Sequence, residues 1–253
     1  MHSKRALFTA ALLFLALEIC MGILIFGPNM GDASRWARFG AVCIALVFCA
    51  LFFERTLEYG LTMAAFLLAV CADGFLALPA SPIQLPGVLL FSAAYLVYAL
   101  RLCLCEPGRG QRRAHVIARI TVPTAALLAA VLVLRERCDA LALASVFCYA
   151  NLALNLLFAA LRFRRQAALA LGFLLLFISD TVLGLTFITP YIPMSTRSMP
   201  YRMVHSGFDL IWAFYLPAQV LLAFSLFAKR WHAAPPACRK APSEPDGEPA
   251  STH

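Results

Sequence analysis

Eight apolar runs, each of about 18 to 23 residues, follow one another along this chain with only short polar connections between them. A helix of that length rises about 30 Å, the thickness of a bilayer's hydrocarbon core. The runs predict membrane-spanning helices at 6–26, 36–53, 57–78, 86–105, 116–134, 140–161, 167–189 and 207–228. Of the 253 residues, 62% are hydrophobic and 13% charged, too little charge to cover a water-soluble domain of this size. The alternating pattern of an outer-membrane barrel is absent. The fold class that follows is all-α: a polytopic membrane protein built as a bundle of eight transmembrane helices over residues 1–230. Residues 231–253, "WHAAPPACRKAPSEPDGEPASTH", are polar and proline-rich and are expected to form a disordered tail. The first run, behind the basic head "MHSKR", is longer than a signal peptide's apolar region and lacks a small-residue cleavage site after it, so it reads as a retained helix.

The net charge of +8 does not make this a nucleic-acid binder, because Lys and Arg sit between the runs or at their ends. With the N-terminus inside, 15 of the 21 basic residues fall on the inner side; the outer six are Arg35, Arg38, Arg135, Arg137, Arg197 and Arg202. That bias places both termini in the cytoplasm. Nine cysteines are scattered, mostly within apolar runs, with no metal-binding spacing. His2, His115, His232 and His253 read as loop or chain-end residues, and His205 as interfacial at the outer start of helix eight. No metal site or cofactor loop is visible.

Polar residues inside the apolar runs carry the functional information. "LTMAAFLLAVCADGFLAL" holds Asp73 and "FLLLFISDTVLGLTF" holds Asp180, both past the midplane on the outer side. An ionised carboxylate near the middle of a membrane helix costs about 3 kcal/mol on insertion scales, so such a residue faces the bundle interior or a wet cavity. Glu18, Asn151 and Asn155 read as hydrogen-bonding partners for neighbouring helices, and Asp209 as a helix-start residue. Tyr95, Tyr98, Tyr215 and Gln219 are further interior polar groups. "CADGFLAL" in helix three and "ISDTVLGL" in helix seven both place Leu three residues after Asp, then a small residue and another Leu. An offset of four helices keeps the same direction through the membrane, which raises an architecture of two parallel four-helix repeats.

These residues also carry a resemblance. Asp73-Gly74-Phe75-Leu76, then Gly87 with Phe91 and Tyr98, then Ser179-Asp180 with Leu183, and finally Tyr215 with Ala218-Gln219 fall in the order of the motifs of the YhhN-like family. The chain resembles that family over helices three to eight. It departs in carrying Ala72 where Gly is usual, Tyr95 where His is common, a long 190–206 connection, and Arg38 without a following Pro. Characterised members are lysoplasmalogenases. The resemblance implies hydrolysis of the vinyl ether bond of a lysoplasmalogen, a lysophospholipid held in the bilayer, to a fatty aldehyde and a glycerophospho-alcohol, with no cofactor.

Two intramembrane Asp residues suit that chemistry. Vinyl ether hydrolysis needs a neutral acid to protonate the outer alkene carbon and an anion beside the oxocarbenium ion that forms. Two carboxyls close together in a low-dielectric site do not both ionise, and so supply both roles. Asp73 and Asp180 are therefore the expected catalytic pair, with Tyr95, Tyr98, Ser179, Tyr215 and Gln219 as supporting or substrate-binding residues. Two other classes fit a pair of membrane carboxyls. An intramembrane aspartyl protease would show Tyr-Asp and Gly-x-Gly-Asp signatures, which are missing. A proton-coupled carrier or sensor would be favoured by helices broken near the carboxyls, and Pro123 and Pro217 adjoin neither Asp.

Overall fold

Capping residues mark where several apolar runs turn helical. Thr56 accepts a hydrogen bond from the Tyr59 amide at the start of α3, and Asp139 accepts one at 2.8 Å from the Ala142 amide at the start of α6. The computed structural model describes residues 4–27, 31–51, 54–79, 81–105, 109–188, 191, 195–205 and 207–232; the expected tail lies outside them from 233 onward. Among the described residues the helices are α1 (Lys4–Phe26), α2 (Gly31–Leu51), α3 (Leu57–Leu76), α4 (Gln84–Leu104), α5 (Arg109–Leu134), α6 (Ala140–Ala160), α7 (Phe163–Ile188), α8 (Met199–Val204) and α9 (Leu210–His232). Seven of them, α1 to α7, are long and apolar enough to cross a membrane, and the apolar part of α9 runs over Leu210–Leu226. The protein is an all-α polytopic membrane protein.

The helix ends depart from expectation in three places. Helix five starts at Arg109 rather than at 116, because the basic stretch ahead of Val116 is itself helical; His115 therefore lies within α5 and not in a loop. The backbone of α7 leaves helical geometry at Gln166 (φ −139°, ψ 44°), so its straight part begins where the apolar run does. The long connection after α7 contains the short helix α8, capped by the Ser198 hydroxyl and carrying Pro200 in its first turn.

Lipid gives helices no solvent-driven reason to associate, so close backbone approach and polar ties must hold the bundle. Small residues supply the approach: Ala37, Ala41 and Ala45 on α2, and Ala65, Ala69 and Ala72 on α3, are all buried at one-turn spacing. The packing then repeats. α1 lies on α2 as α5 lies on α6; α2 meets α3 as α6 meets α7; α3 runs along α4 as α7 runs along α9. The halves interlock through α2 with α9 and, equivalently, α6 with α4. Matching α1, α2, α3, α4 to α5, α6, α7, α9 thus reproduces the same neighbours, the parallel arrangement the two Asp motifs suggested. One contact breaks the match. α1 also packs on α9, whereas α5 makes no comparable contact with α4.

Candidate active site

Asp73 sits in the last turn of α3 and Asp180 in α7, and each carboxyl is held by a tyrosine from the opposite half. The Tyr95 hydroxyl of α4 donates to Asp180 Oδ2 at 2.6 Å, and the Tyr215 hydroxyl of α9 donates to Asp73 Oδ2 at 2.7 Å. Under the helix correspondence above, the two tyrosines lie on corresponding helices, as do the two aspartates. The hydrogen bonds therefore cross between halves reciprocally. Phe91 lies between them, its ring 6.1 Å from that of Tyr95 and 6.1 Å, edge-on, from that of Tyr215. Each carboxyl is hydrogen-bonded to its tyrosine and not to the other carboxyl.

The surroundings of the two carboxyls differ. Asp73 is 4% exposed and is sealed toward the α3–α4 end of the bundle. Trp212 packs edge-on against Tyr215 at 4.9 Å; the Arg38 guanidinium lies 5.8 Å from the Trp212 ring centre and pairs with Asp209 at 2.6 Å. Asp209 also caps α9 by accepting from the Trp212 amide, in keeping with its reading as a helix-start residue. Asp180 instead lines a cavity of about 550 Å³ enclosed by α3, α4, α5, α6 and α7. Its walls are mostly apolar, with Val88, Phe91, Val122, Ala126 and Leu183 among them, and among the described residues Asp180 is the only ionisable carboxyl or base on them. The cavity lies where α5 stands away from α4. The broken match in the packing and the access to Asp180 are the same feature.

Of the remaining expected residues, Tyr98 is buried against Phe173, edge-on at 5.3 Å, and makes no hydrogen bond to either carboxyl. The Ser179 hydroxyl donates to the Ile211 carbonyl at 3.0 Å, tying α7 to α9 beside the site. Gln219 is buried one turn beyond Tyr215 without a bond to either Asp. Asn151 and Asn155 do tie helices. Asn155 donates to the Tyr95 carbonyl at 2.9 Å, and both side-chain oxygens accept from Arg119. The reading of Glu18 as a helix-tying group is corrected: it is 3% exposed and neither of its oxygens meets a donor.

Three groups went unnoticed in the sequence. His115 was taken for a solvated loop residue, yet it is 2% exposed on α5, its ring 4.1 Å from that of Phe158. Arg119, one turn on, supports Asn155 and so the backbone of Tyr95. A helix starting at 116 leaves His115 outside the bundle, and it puts Arg119 in the first turn of the span as an inner-side charge, with nothing in the pattern to mark its bonds across to α6. Ser145, Tyr149 and Thr181 line the cavity beside Asp180, and an ordinary hydroxyl in an apolar run gives no signal of that. At the cavity's end, outside the spans, the Tyr191 hydroxyl donates to Asp139 Oδ2 at 2.6 Å, and Arg137 donates to the Tyr191 carbonyl at 2.8 Å. That tyrosine bond, ahead of the Ala142 amide, holds the Asp139 carboxyl below the usual carboxylate range, and it pushes Tyr191 up to about 12.

Among the described residues no group of three His, Cys, Asp or Glu side chains is placed to hold a metal ion. No curated protein and no solved structure matches the chain. A family model does, over residues 40–226, from the middle of α2 to the apolar end of α9, and so across both carboxyls and both tyrosines. The chain belongs to the YhhN family.

Proposed function

We propose that this protein is a lysoplasmalogenase-type hydrolase, cleaving the vinyl ether bond at the first glycerol carbon of a lysophospholipid drawn from the bilayer. The observation that carries the reading is the crossed pair of tyrosine-held carboxyls, one of which opens onto an apolar cavity. Family membership supports a hydrolase of this kind. An apolar wall with a single carboxyl suits one alkyl chain. An extended peptide would need main-chain partners along its length, which favours a lipid over a protease substrate.

In this mechanism the substrate's enol ether lies against Asp180, the carboxyl that reaches the cavity. Protonated Asp180 gives its proton to the outer alkene carbon, and the C–O unit becomes an oxocarbenium ion. The carboxylate left behind faces that cation at short range, where a low dielectric makes the attraction strong. Water adds to the cationic carbon and returns a proton to the carboxylate. The hemiacetal then collapses to aldehyde and glycerophospho-alcohol. Tyr95 holds the reacting carboxyl in place, and Tyr215 fixes Asp73 as the second charge of the pair.

The test is aldehyde release from lysoplasmenyl-ethanolamine and -choline by purified protein in detergent. Asp180→Asn, which removes the proton donor, and Asp73→Asn, which removes the second negative charge near the oxocarbenium ion, are each expected to lose at least about 100-fold in rate. Their thermal unfolding should stay close to that of the parent protein. Full activity in either variant would end the paired-carboxyl mechanism.

A further inference from the structure

The hydroxyl that holds Asp180 comes from α4, and the carboxyl from α7. Helix α4 packs along α3 and α6, and α7 along α6 and α9, so α6 is the helix on which both rest. How α4 is seated on α6 therefore sets the geometry of the bond between Tyr95 and Asp180. Asn155 of α6 is completely buried and donates to the backbone carbonyl of Tyr95 itself, at 2.9 Å. The tie falls on the very residue of α4 whose hydroxyl meets the carboxyl.

A primary amide binds a carbonyl only through its NH2 end; turned the other way, its oxygen repels it. Arg119 of α5 decides which way Asn155 faces. A guanidinium is donor-only, and its Nη2 donates to Asn155 Oδ1, which leaves Nδ2 for the Tyr95 carbonyl. Nη1 donates to the Asn151 carbonyl at 2.9 Å and to Asn151 Oδ1 at 3.0 Å, and Asn151 Nδ2 donates to the Phe147 carbonyl at 2.9 Å. The fork thus orients both amides and joins α5 to α6. A charge within a membrane span is costly and marks function or a specific partner. Arg119 gives all of these bonds to uncharged oxygens.

Asp73 has no counterpart of this support. There α2 is the helix common to α3 and α9, and its buried face is Ala37, Ala41, Val42, Ala45, Phe48 and Cys49, with no amide to reach the backbone of Tyr215.

We propose that Arg119 and Asn155 are positioning residues for proton transfer at Asp180. Arg119 orients the Asn155 amide, Asn155 seats Tyr95 on α6, and the Tyr95 hydroxyl then meets Asp180 at 2.6 Å. The consequence for rate rests on the hydrolase reading; the seating of the hydroxyl does not. Helix α5 also lines the cavity through Val122 and Ala126. The helix that walls the space beside Asp180 is thereby the one that holds the Tyr95 bond in register.

The test uses two variants of the full-length protein in detergent. Asn155→Asp keeps an oxygen for Arg119 and loses only the donor to Tyr95, so it carries the test even if Arg119→Met does not fold. Each is made with and without Tyr95→Phe. Each is expected to lower kcat for aldehyde release by about 10-fold, with KM within about 2-fold, when Tyr95 is present. Once Tyr95→Phe has removed the hydroxyl, the same changes should lower kcat by less than about 2-fold, because nothing is left to position. Equal losses in both backgrounds would mean general loosening of the bundle and would overturn the proposal. The infrared carboxyl band of Asp180, isolated by subtracting the spectrum of the same protein carrying Asp180→Asn, needs no turnover. Both variants should shift it in the direction that Tyr95→Phe does, and an unmoved band in Asn155→Asp would also overturn the proposal. A shifted band with no aldehyde from the parent leaves the positioning standing and defeats the hydrolase reading; aldehyde with an unmoved band does the reverse.

Discussion

Two tyrosine hydroxyls set the local chemistry at this site, and they are not interchangeable. Tyr95 holds the carboxyl that meets the cavity, while Tyr215 holds the sealed one. A hydrogen bond to a charged group contributes about 1.5–3 kcal/mol, and a bond that strengthens as Asp180 becomes an anion counts fully in the rate. Tyr95→Phe is therefore expected to lower kcat by about 10- to 100-fold with little change in KM. Tyr215→Phe acts through Asp73 and should lower kcat by less; equal losses in the two variants would contradict the asymmetry. A second residue-scale prediction concerns Asp139. Its carboxyl is held below the usual range by the Tyr191 hydroxyl, so the clasp it makes is complete above the ordinary carboxylate value of about 3.9. The clasp is lost as pH falls through the lowered value of the folded protein. Tyr191→Phe should move the Asp139 midpoint upward toward the ordinary value, read from its side-chain carboxyl resonance. An unmoved midpoint would mean that the Ala142 amide alone sets it.

Helix-to-helix distance is controlled by single glycines. A Cβ at Gly172 of α7 would lie 2.9 Å from Leu222 Cδ2 and 3.3 Å from the Leu222 backbone nitrogen on α9, and backbone cannot swing aside. Gly172→Ala is expected to cost about 1–3 kcal/mol by overpacking. Gly60→Ala on α3, where a Cβ meets nothing within 4 Å, should gain about 0.5–1 kcal/mol of helix propensity. Thermal unfolding of both in the same detergent checks the contrast; a Gly172→Ala protein as stable as its parent would refute it. At this scale much was legible in advance. Apolar run length fixes where a helix can cross, so all eight runs are helical with ends within a few residues except where basic residues continue the helix, as in α5, and seven of them are long and apolar enough to cross a membrane. Asp73 and Asp180 stood out because a charge in an apolar run is costly and therefore rare. The crossing of the tyrosines was hidden, since Tyr95 and Asp180 are 85 residues apart and Tyr215 and Asp73 are 142 apart. Nothing in either helix's pattern names its partner.

Among the described residues the molecule is two similar four-helix halves in which one contact is missing, and that missing contact is where the cavity beside Asp180 lies. Had α5 packed on α4 as α1 packs on α9, Val122 and Ala126 would meet Val88 and Phe91 directly, and Asp180 would be as sealed as Asp73. Helix α5 is the span with the least buried surface, resting on α6 and otherwise facing outward, with Pro123 in its middle. On the proposed function, this gap is the route by which an apolar lipid tail would reach the carboxyl sideways from the bilayer. The packing argument turns this into a prediction. Ala126→Phe adds a ring where the wall of the cavity now faces empty space, so it should fill that space without displacing packed neighbours. Thermal unfolding should hold steady or rise, while kcat/KM for lysoplasmalogen falls by at least about 10-fold through KM, because ground-state and transition-state binding are lost together. On the outer, lipid-facing side of the same helix, Leu132→Phe should change neither quantity, since Leu132 is 74% exposed. Equal activity in Ala126→Phe and Leu132→Phe would mean that the substrate reaches Asp180 by another path, and the gap between α5 and α4 would lose its function.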